Sequence, residues 1–496
     1  MASLTSRSRL LALTAAAVVG LCWAAAAAAA GPLYARPLSA RFATPLAPGE
    51  PAAAATTPIC DFGDFQLVCY APSHIKDAYN VPTGPQAPTG AGQTIVIVDA
   101  FGSDAIQDDL AFFNAHFGIP SGPLDVVCPQ TAGCGTPPDP DTAAAWAIET
   151  SLDVEYAHAM APGAKIVLAI ASSDEWSDLT ETELAMIKKY PGAVISESFG
   201  LSEPSPRDAA GIREIAGSFA NHLLAWRLGT TVVAAAGDLG AGDGVVDANG
   251  KAIPTADYPS SDPLVTGVGG TMGLPYPDGL WSHGRYGGEQ TWNESDFGLA
   301  DGGGPSALFP QPSYQRGLAT GSRRMTPDVA FNAAIDGGVQ VAVTINGFLG
   351  RYVVGGNSAG APQWAGIIAL ANELRGRQGK AGIGFANPVL YSIAADRRST
   401  RDFHDITVGD DVLRDPLIDP SLWGTGFSAA DGYDPTTGWG TPNVAKLLPD
   451  LVSAPTDRGD QPDFRPSRGS NDSRREQSGR PKALEVHGGG HSPRGH

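Results

Sequence analysis

One serine lies where an apolar run gives way to a helix, in Tyr352-Val-Val-Gly-Gly-Asn-Ser-Ala-Gly-Ala-Pro-Gln-Trp364. The β-type run ends in Gly355-Gly356, Asn357 and Ser358 follow, and Pro362 opens a helix of good formers from Trp364 to Arg375. Glycines allow the sharp bend that exposes a hydroxyl at a strand-to-helix turn, and the helix N-terminus beyond favours negative charge developing nearby. A Gly-Ser turn with proline in the first helical turn is also a common structural device. Ser358 therefore gains chemical meaning only beside a base. Glu149 and Asp153 offer one: four residues apart in helical text, they fall on one face. Carboxylates so close repel unless they share a proton, which raises one pKa. The competing reading is a solvated acidic face, to which Glu155 would belong, although Ile148, Leu152 and Tyr156 set the pair at the border of an apolar side.

Two further constellations carry oxygen chemistry. Asp238 closes an apolar run in Gly237-Asp238-Leu239-Gly240, a carboxylate at a strand end, where open α/β sheets place function; the plainer reading is an Asx turn. Asp405-Ile406 and Ala430-Asp431-Gly432-Tyr433-Asp434 bring carboxylates together with closely spaced carbonyls, a hard donor set suited to calcium.

The elements that must hold these residues alternate. Strands are expected at residues 94–100, 165–171, 193–198 and 230–236, with helices at 106–117, 143–160, 179–189 and 209–228. Such alternation predicts an α/β fold with a mostly parallel central sheet and helices on both faces. Residues 240–328 are rich in Gly, Pro and Asp and read as loops and short strands over the sheet. Asn346-Gly347, between apolar runs, is a type I′ hairpin signal that delivers the chain to Ser358.

The 496 residues are 42% hydrophobic and 17% charged, with a net charge of −19. That composition can bury a large core, and its sign excludes nucleic acid and anionic membranes as partners. Residues 1–31 read as a signal peptide: Arg7 and Arg9 precede an apolar run ending in Ala28-Ala29-Ala30. A secreted chain without stable membrane insertion is expected, as is a monomer. Residues 32–64 read as a flexible Ala/Pro-rich segment, 65–452 as the folded domain, and 453–496 as a polar disordered tail. Of the four cysteines beyond the signal, local pairing suggests Cys60–Cys69 and Cys128–Cys134. Asn293-Glu-Ser and Asn471-Asp-Ser are glycosylation acceptors in a host that glycosylates.

Taken together, the motifs resemble the sedolisins, serine-carboxyl peptidases with a subtilisin-like fold. The family's Gly-Thr-Ser-x-x-x-Pro block matches Gly356 to Pro362 except at Asn357, which stands for Thr. Its Glu and Asp, four apart, match Glu149 and Asp153; its oxyanion Asp matches Asp238. Its calcium loop matches Asp405 and Asp434, with carbonyls from Ile406, Ala430 and Gly432. The text Val268-Gly269-Gly270-Thr271, Gly303-Gly304-Pro305-Ser306 and Thr326-Pro327-Asp328-Val329 is similar too, so the resemblance runs from about Leu67 to Leu451. It implies a peptidase acting on proteins or peptides in acid, with Ser358 as nucleophile, Glu149 as base, Asp153 as its partner and Ca2+ as structural ion. Family members are typically made with a large propeptide, whereas only a few dozen residues here separate the signal from the first family text. Two rivals stand beside this: a Ser-His-Asp site from Ser358, His158 and Asp99, and a catalytically impaired scaffold used for binding.

Overall fold

The computed structural model describes residues 33–37, 40–45, 59–62, 66–204, 208–242, 245, 249–251, 253–273, 286–396, 401–414 and 420–455. The expected signal peptide, Asn471 and nearly all of the expected tail lie outside them.

The strand Thr94–Ala100 is the hub. It pairs in parallel with Lys165–Ala171 on one side and Val194–Glu197 on the other. Beyond these lie Leu124–Val127 at one end, and Thr231–Ala235, Thr266–Met272 and the short antiparallel Gln290–Thr291 at the other. Val329–Asn332 pairs in parallel with Thr266–Met272. The resulting eight-stranded, mostly parallel sheet bears out the expected fold class.

Alternation along the hub divides the core in two. Ile95 and Ile97 belong to the cluster under helices Pro140–Met160 and Ala361–Arg377, whereas Val96 and Val98 belong to the one under Trp176–Lys189 and Ala209–Leu228. The same alternation in Val194–Glu197 sends Glu197 towards one helix layer and its neighbours Ser196 and Ser198 towards the other.

Helix Pro140–Met160 departs from the expected amphipathic element. Asp139 caps it, its Oδ1 accepting the Asp141 and Thr142 N–H groups at 2.9 Å, with Pro140 in the first turn. From Ala145 to Met160 every residue is buried, because sheet, helix Ala361–Arg377 and strand Gly338–Ile345 enclose it. Glu155, expected on a solvated face, is wholly buried, and its Oε2 accepts the Ala342 N–H at 3.0 Å. The acidic pattern of this helix marks interior polar contacts.

The hairpin forms as expected. Gly338–Ile345 and Phe348–Gly355 pair with Ile345 opposite Phe348, and Asn346 and Gly347 both have positive φ, 52° and 78°. Thr266–Met272, expected among loops and short strands over the sheet, is instead a strand of the main sheet itself. Its glycines are packing requirements: a Cβ on Gly267 would collide with Thr326, one on Gly269 would meet Pro327 Cγ at 2.6 Å, and one on Gly270 would collide with Asn357. Both expected disulfides, Cys60–Cys69 and Cys128–Cys134, are present. Within the stretch read as a flexible lead-in, Arg36–Pro37 and Ala40–Pro45 are strands, paired with segments far along the chain.

Candidate active site

Ser358 sits in the single 3-10 turn Asn357–Ala359, between the hairpin and helix Ala361–Arg377. Gly356 makes the turn possible with φ 109°, a value that L side chains rarely adopt. Ser358 is fully buried, and its Oγ donates to the carbonyl of Ser198 at 3.2 Å. Ser198 lies between strands Val194–Glu197 and Phe199–Ser202 and faces two ways: its own Oγ donates to Asp153 Oδ1 at 2.8 Å. One residue thus joins the serine to the carboxyl pair.

Glu149 and Asp153 are both fully buried, one helical turn apart. Burial raises the Asp153 carboxyl well above its usual range, with the charges of Asp99 and then Glu149 adding to the effect, while the Ser198 hydroxyl opposes it. Asp99, at the end of the hub strand, is itself pushed up to about 7 by burial, with Thr150 lowering it. Three acids therefore share one dry space. Such a group resists full ionisation and retains protons. In the sequence Asp99 entered only as part of the histidine-dependent rival, but the fold sets it beside Asp153. His158 is buried with its Nε2 2.9 Å from the Pro120 carbonyl, and Ser358 makes its hydrogen bond to Ser198, so no hydrogen bond joins His158 to Ser358.

Asp238 is buried beside the serine turn. Its Oδ1 accepts the Asn357 N–H at 2.9 Å. The Asn357 side chain reinforces the junction: Nδ2 donates to the Gly237 carbonyl at 2.7 Å and to Asp301 Oδ1 at 2.8 Å. Asp301 Oδ1 also accepts the Gly270 N–H at 2.7 Å, and burial raises this carboxyl well above its usual range. Asn357 is thus a strut between the Asp238 turn, Asp301 and the serine. Ser198 and Asp301 were missed in the sequence; the one is an ordinary serine in Ser-Glu-Ser, the other an ordinary acid before Gly302-Gly303-Gly304.

The expected calcium residues meet at one loop. Asp405 Oδ2 accepts the Gly432 N–H at 2.9 Å, and Asp434 Oδ2 accepts the Ala430 N–H at 3.2 Å. Ile406 beside Asp405 is buried, and Gly432 has φ 81°. The two carboxylates hold the turn that carries the Ala430 and Gly432 carbonyls. All donors are hard oxygens, so the residues fit calcium. A separate buried cluster, Glu183, Glu197 and His222, has metal-ligand spacing. There His222 Nδ1 lies 2.8 Å from Asp262 Oδ2, and Nε2 lies 3.2 Å from Glu183 Oε1. Burial opposes protonation of this ring, but those two carboxylates prevail and push its pKa well above the usual value. With an imidazole at its centre, the cluster reads as a buried ion-pair group unsuited to calcium.

In the fold the Asn293 Nδ2 donates to the carbonyls of Asp410 and Val412, both at 2.9 Å. Among the described residues no helix is long and apolar enough to cross a membrane.

No family model matches the chain. Kumamolisin from Bacillus sp. (strain MN-32) is 33% identical over 398 residues, covering 77% of this chain and 64% of that protein. Tripeptidyl-peptidase 1 from Rattus norvegicus is 32% identical over 322 residues, covering 62% of this chain and 52% of that protein. The chain thus spans between half and two thirds of the length of these relatives. A solved structure of Pseudomonas sedolisin (serine-carboxyl proteinase), complexed with two molecules of pseudo-iodotyrostatin, superposes with a TM-score of 0.63 at 26% identity, covering 78% of this chain and 98% of that one.

Proposed function

The chain belongs to the sedolisin family of serine-carboxyl peptidases, with a subtilisin-like fold, and on that premise we propose that it is a secreted peptidase hydrolysing peptide bonds in acid. The observation that carries the reading is Ser198, whose carbonyl accepts the Ser358 hydroxyl while its own hydroxyl serves Asp153. That link supports reading Ser358 as a nucleophile served by the Glu149–Asp153 pair.

Ser358 Oγ attacks the carbonyl carbon of the scissile peptide as Glu149 takes its proton. Asp153, with Asp99 behind it, holds a proton within the pair and so sets the basicity of Glu149. The tetrahedral oxyanion receives hydrogen bonds from a protonated Asp238 carboxyl and from the Ser358 N–H. Glu149 then protonates the leaving amine, and the C–N bond breaks. Water, activated by Glu149, hydrolyses the ester and frees Ser358. Because Asp238 donates only when neutral, activity belongs to acid. The Asn357 amide keeps the Asp238 turn against Ser358, which supports an active site despite the departure from Thr.

Calcium at Asp405, Asp434 and the carbonyls of Ile406, Ala430 and Gly432 would supply structural cross-linking of the C-terminal loops. Arg7, Arg9 and the alanine-rich run that follows support export.

The test is cleavage of a denatured protein from acid to neutral pH, with calcium, beside Ser358→Ala and Glu149→Gln. Acid activity lost in both variants is expected. A neutral optimum that survives Glu149→Gln would refute the reading.

A further inference from the structure

The buried cluster unsuited to calcium has donors for an ion of another kind. Glu183 stands on helix Trp176–Lys189, Glu197 ends strand Val194–Glu197, and His222 stands on helix Ala209–Leu228. None of the three is more than 2% exposed, and each offers one ligand atom within 4.8 Å of the other two. Two of these side chains face each other without bonding. His222 Nε2 and Glu183 Oε1 are 3.2 Å apart and buried, yet neither atom makes a hydrogen bond. The far ends of both side chains are engaged. His222 Nδ1 lies 2.8 Å from Asp262 Oδ2, and Glu183 Oε2 accepts the Asn221 Nδ2 group at 3.1 Å. Asp262 is held in turn: its Oδ2 accepts the Tyr258 hydroxyl at 3.1 Å, and its Oδ1 accepts the Leu264 N–H at 2.8 Å. Asn221 Nδ2 donates also to the Thr180 carbonyl at 2.9 Å. A carboxylate at one ring nitrogen keeps a proton there and turns the other nitrogen towards a ligand position, as metal-binding imidazoles require.

Spacing and charge agree with this. Zinc takes imidazole nitrogen at about 2.0–2.1 Å and carboxylate oxygen at about 2.0–2.2 Å, so two ligand atoms at the tetrahedral angle stand about 3.3–3.5 Å apart. The 3.2 Å between Nε2 and Oε1 is close to that. As an ion-pair group the cluster is unbalanced, because one imidazolium faces three buried carboxyl groups, those of Glu183, Glu197 and Asp262. Unbalanced buried charge is costly. A divalent cation on Glu183, Glu197 and neutral His222 balances both glutamates. Asp262 keeps its contacts with Nδ1, the Tyr258 hydroxyl and the Leu264 N–H. One imidazole nitrogen with carboxylate oxygens suits zinc and its first-row neighbours, whereas calcium and magnesium take oxygen alone.

We propose that Glu183, Glu197 and His222 bind a divalent transition-metal ion of the zinc class, with Asp262 and Asn221 holding the ligands in place. The ion joins two helices to the strand that ends one residue before Ser198, the residue to which the Ser358 hydroxyl donates. It is a structural cross-link of the helix layer that lies across the sheet from helix Pro140–Met160. Ligands this deeply buried take up their ion as the chain folds. The site stands apart from the calcium loop and does not depend on the reading of Ser358 as nucleophile.

The experiment uses the full chain carrying Ser358→Ala, which guards against self-digestion, with calcium saturating so that zinc does not simply fill the calcium loop. The chain is unfolded and refolded at neutral pH with zinc chloride or with a zinc-selective chelator, then desalted. Elemental analysis should count one zinc per chain after the first treatment and none after the second. The zinc-loaded chain should melt higher by about 2 °C or more. Cobalt in place of zinc should give the visible absorption of a low-coordinate ion with an imidazole ligand. Asp262→Asn leaves all three ligands in place and should weaken zinc binding by about 10- to 100-fold. Glu197→Gln and His222→Gln, added singly, should lose the bound zinc and the zinc-dependent rise in melting temperature. A parent chain that folds with zinc present yet holds none, or melts alike with zinc and with chelator, would overturn the inference. So would zinc retained equally by Glu197→Gln and His222→Gln, which would mark an adventitious ion elsewhere. Should either variant fail to fold, the zinc count and cobalt spectrum of the parent chain still decide.

Discussion

Replacing Ser198 by alanine isolates the tuning of the carboxyl pair from everything else at the site. The backbone carbonyl that receives the Ser358 hydroxyl remains, and only the hydroxyl donated to Asp153 Oδ1 at 2.8 Å is lost. Burial, then Asp99, then Glu149 raise the Asp153 carboxyl, and the Ser198 hydroxyl is the influence that lowers it. Its removal therefore makes the pair harder to ionise. A hydrogen bond to a charged group is worth about 1.5–3 kcal/mol. At about 1.4 kcal/mol per pH unit, the acid limb of kcat/KM should move up by roughly one to two units. Below that limb the variant should be slower by about 10- to 100-fold; on the plateau it should approach the wild type. The assay is a pH–rate profile on one peptide substrate, with calcium saturating and folding verified at each pH. Ser198→Thr, which keeps a hydroxyl, should restore the wild-type limb. A profile lowered uniformly at all pH values would refute the tuning role, as would a limb that stays in place or moves down.

Asn357→Thr gives this chain the family's usual residue but removes the amide that ties Gly237 to Asp301. It should therefore destabilise the fold by about 1–3 kcal/mol in urea unfolding and lower kcat more than it changes KM; unchanged stability would remove the strut. Stability should also fall as pH rises from about 4 towards neutrality. Asp99, Asp153, Glu155 and Asp301 hold protons in the folded chain to higher pH than they do unfolded. The native state then binds more protons in that window, and each such group costs about 1.4 kcal/mol per unit while only its unfolded form is ionised. Denaturant midpoints at pH 4 and pH 7 check this, and greater stability at pH 7 would contradict it. Calcium at about a hundred times its dissociation constant should add about 2.7 kcal/mol to the wild type. It should add far less to Asp434→Asn, and a thermal shift equal in both would place the ion elsewhere.

The sheet's centre was legible because its strands are short apolar runs set between helical patterns, and the hairpin because Asn346-Gly347 adopts the left-handed turn that favours Asn and Gly. Thr266–Met272 was not legible. Its glycines read as loop text, and only the fold reveals that Asn357, Thr326 and Pro327 crowd against them. The acids of helix Pro140–Met160 misled in another way. Glu155 has the composition of a solvated face, and what buries it is a strand nearly two hundred residues later. Ser198 carries no local signal, since its importance lies in two hydrogen bonds, to residues 45 positions before it and 160 after it. Arg36–Pro37 and Ala40–Pro45 look like linker because Ala and Pro hide a pairing whose partners, Phe199–Ser202 and Phe348–Gly355, lie far downstream. Where a candidate site lies in one compact motif, as at Ser358 or in the Glu149–Asp153 pair, the sequence points to it; where it arises from tertiary contact, it does not.

The central claim is that Ser358 is the nucleophile of a carboxyl-assisted acyl transfer. Its most direct test is to mix the full chain, with calcium in acid, with an activated peptide ester, quench within milliseconds to seconds, and map covalent adducts by mass spectrometry. An acyl group on Ser358, absent in Ser358→Ala and slow to form in Glu149→Gln, is the predicted result. Turnover with no adduct on Ser358, or an adduct that forms equally fast in Glu149→Gln, would contradict it.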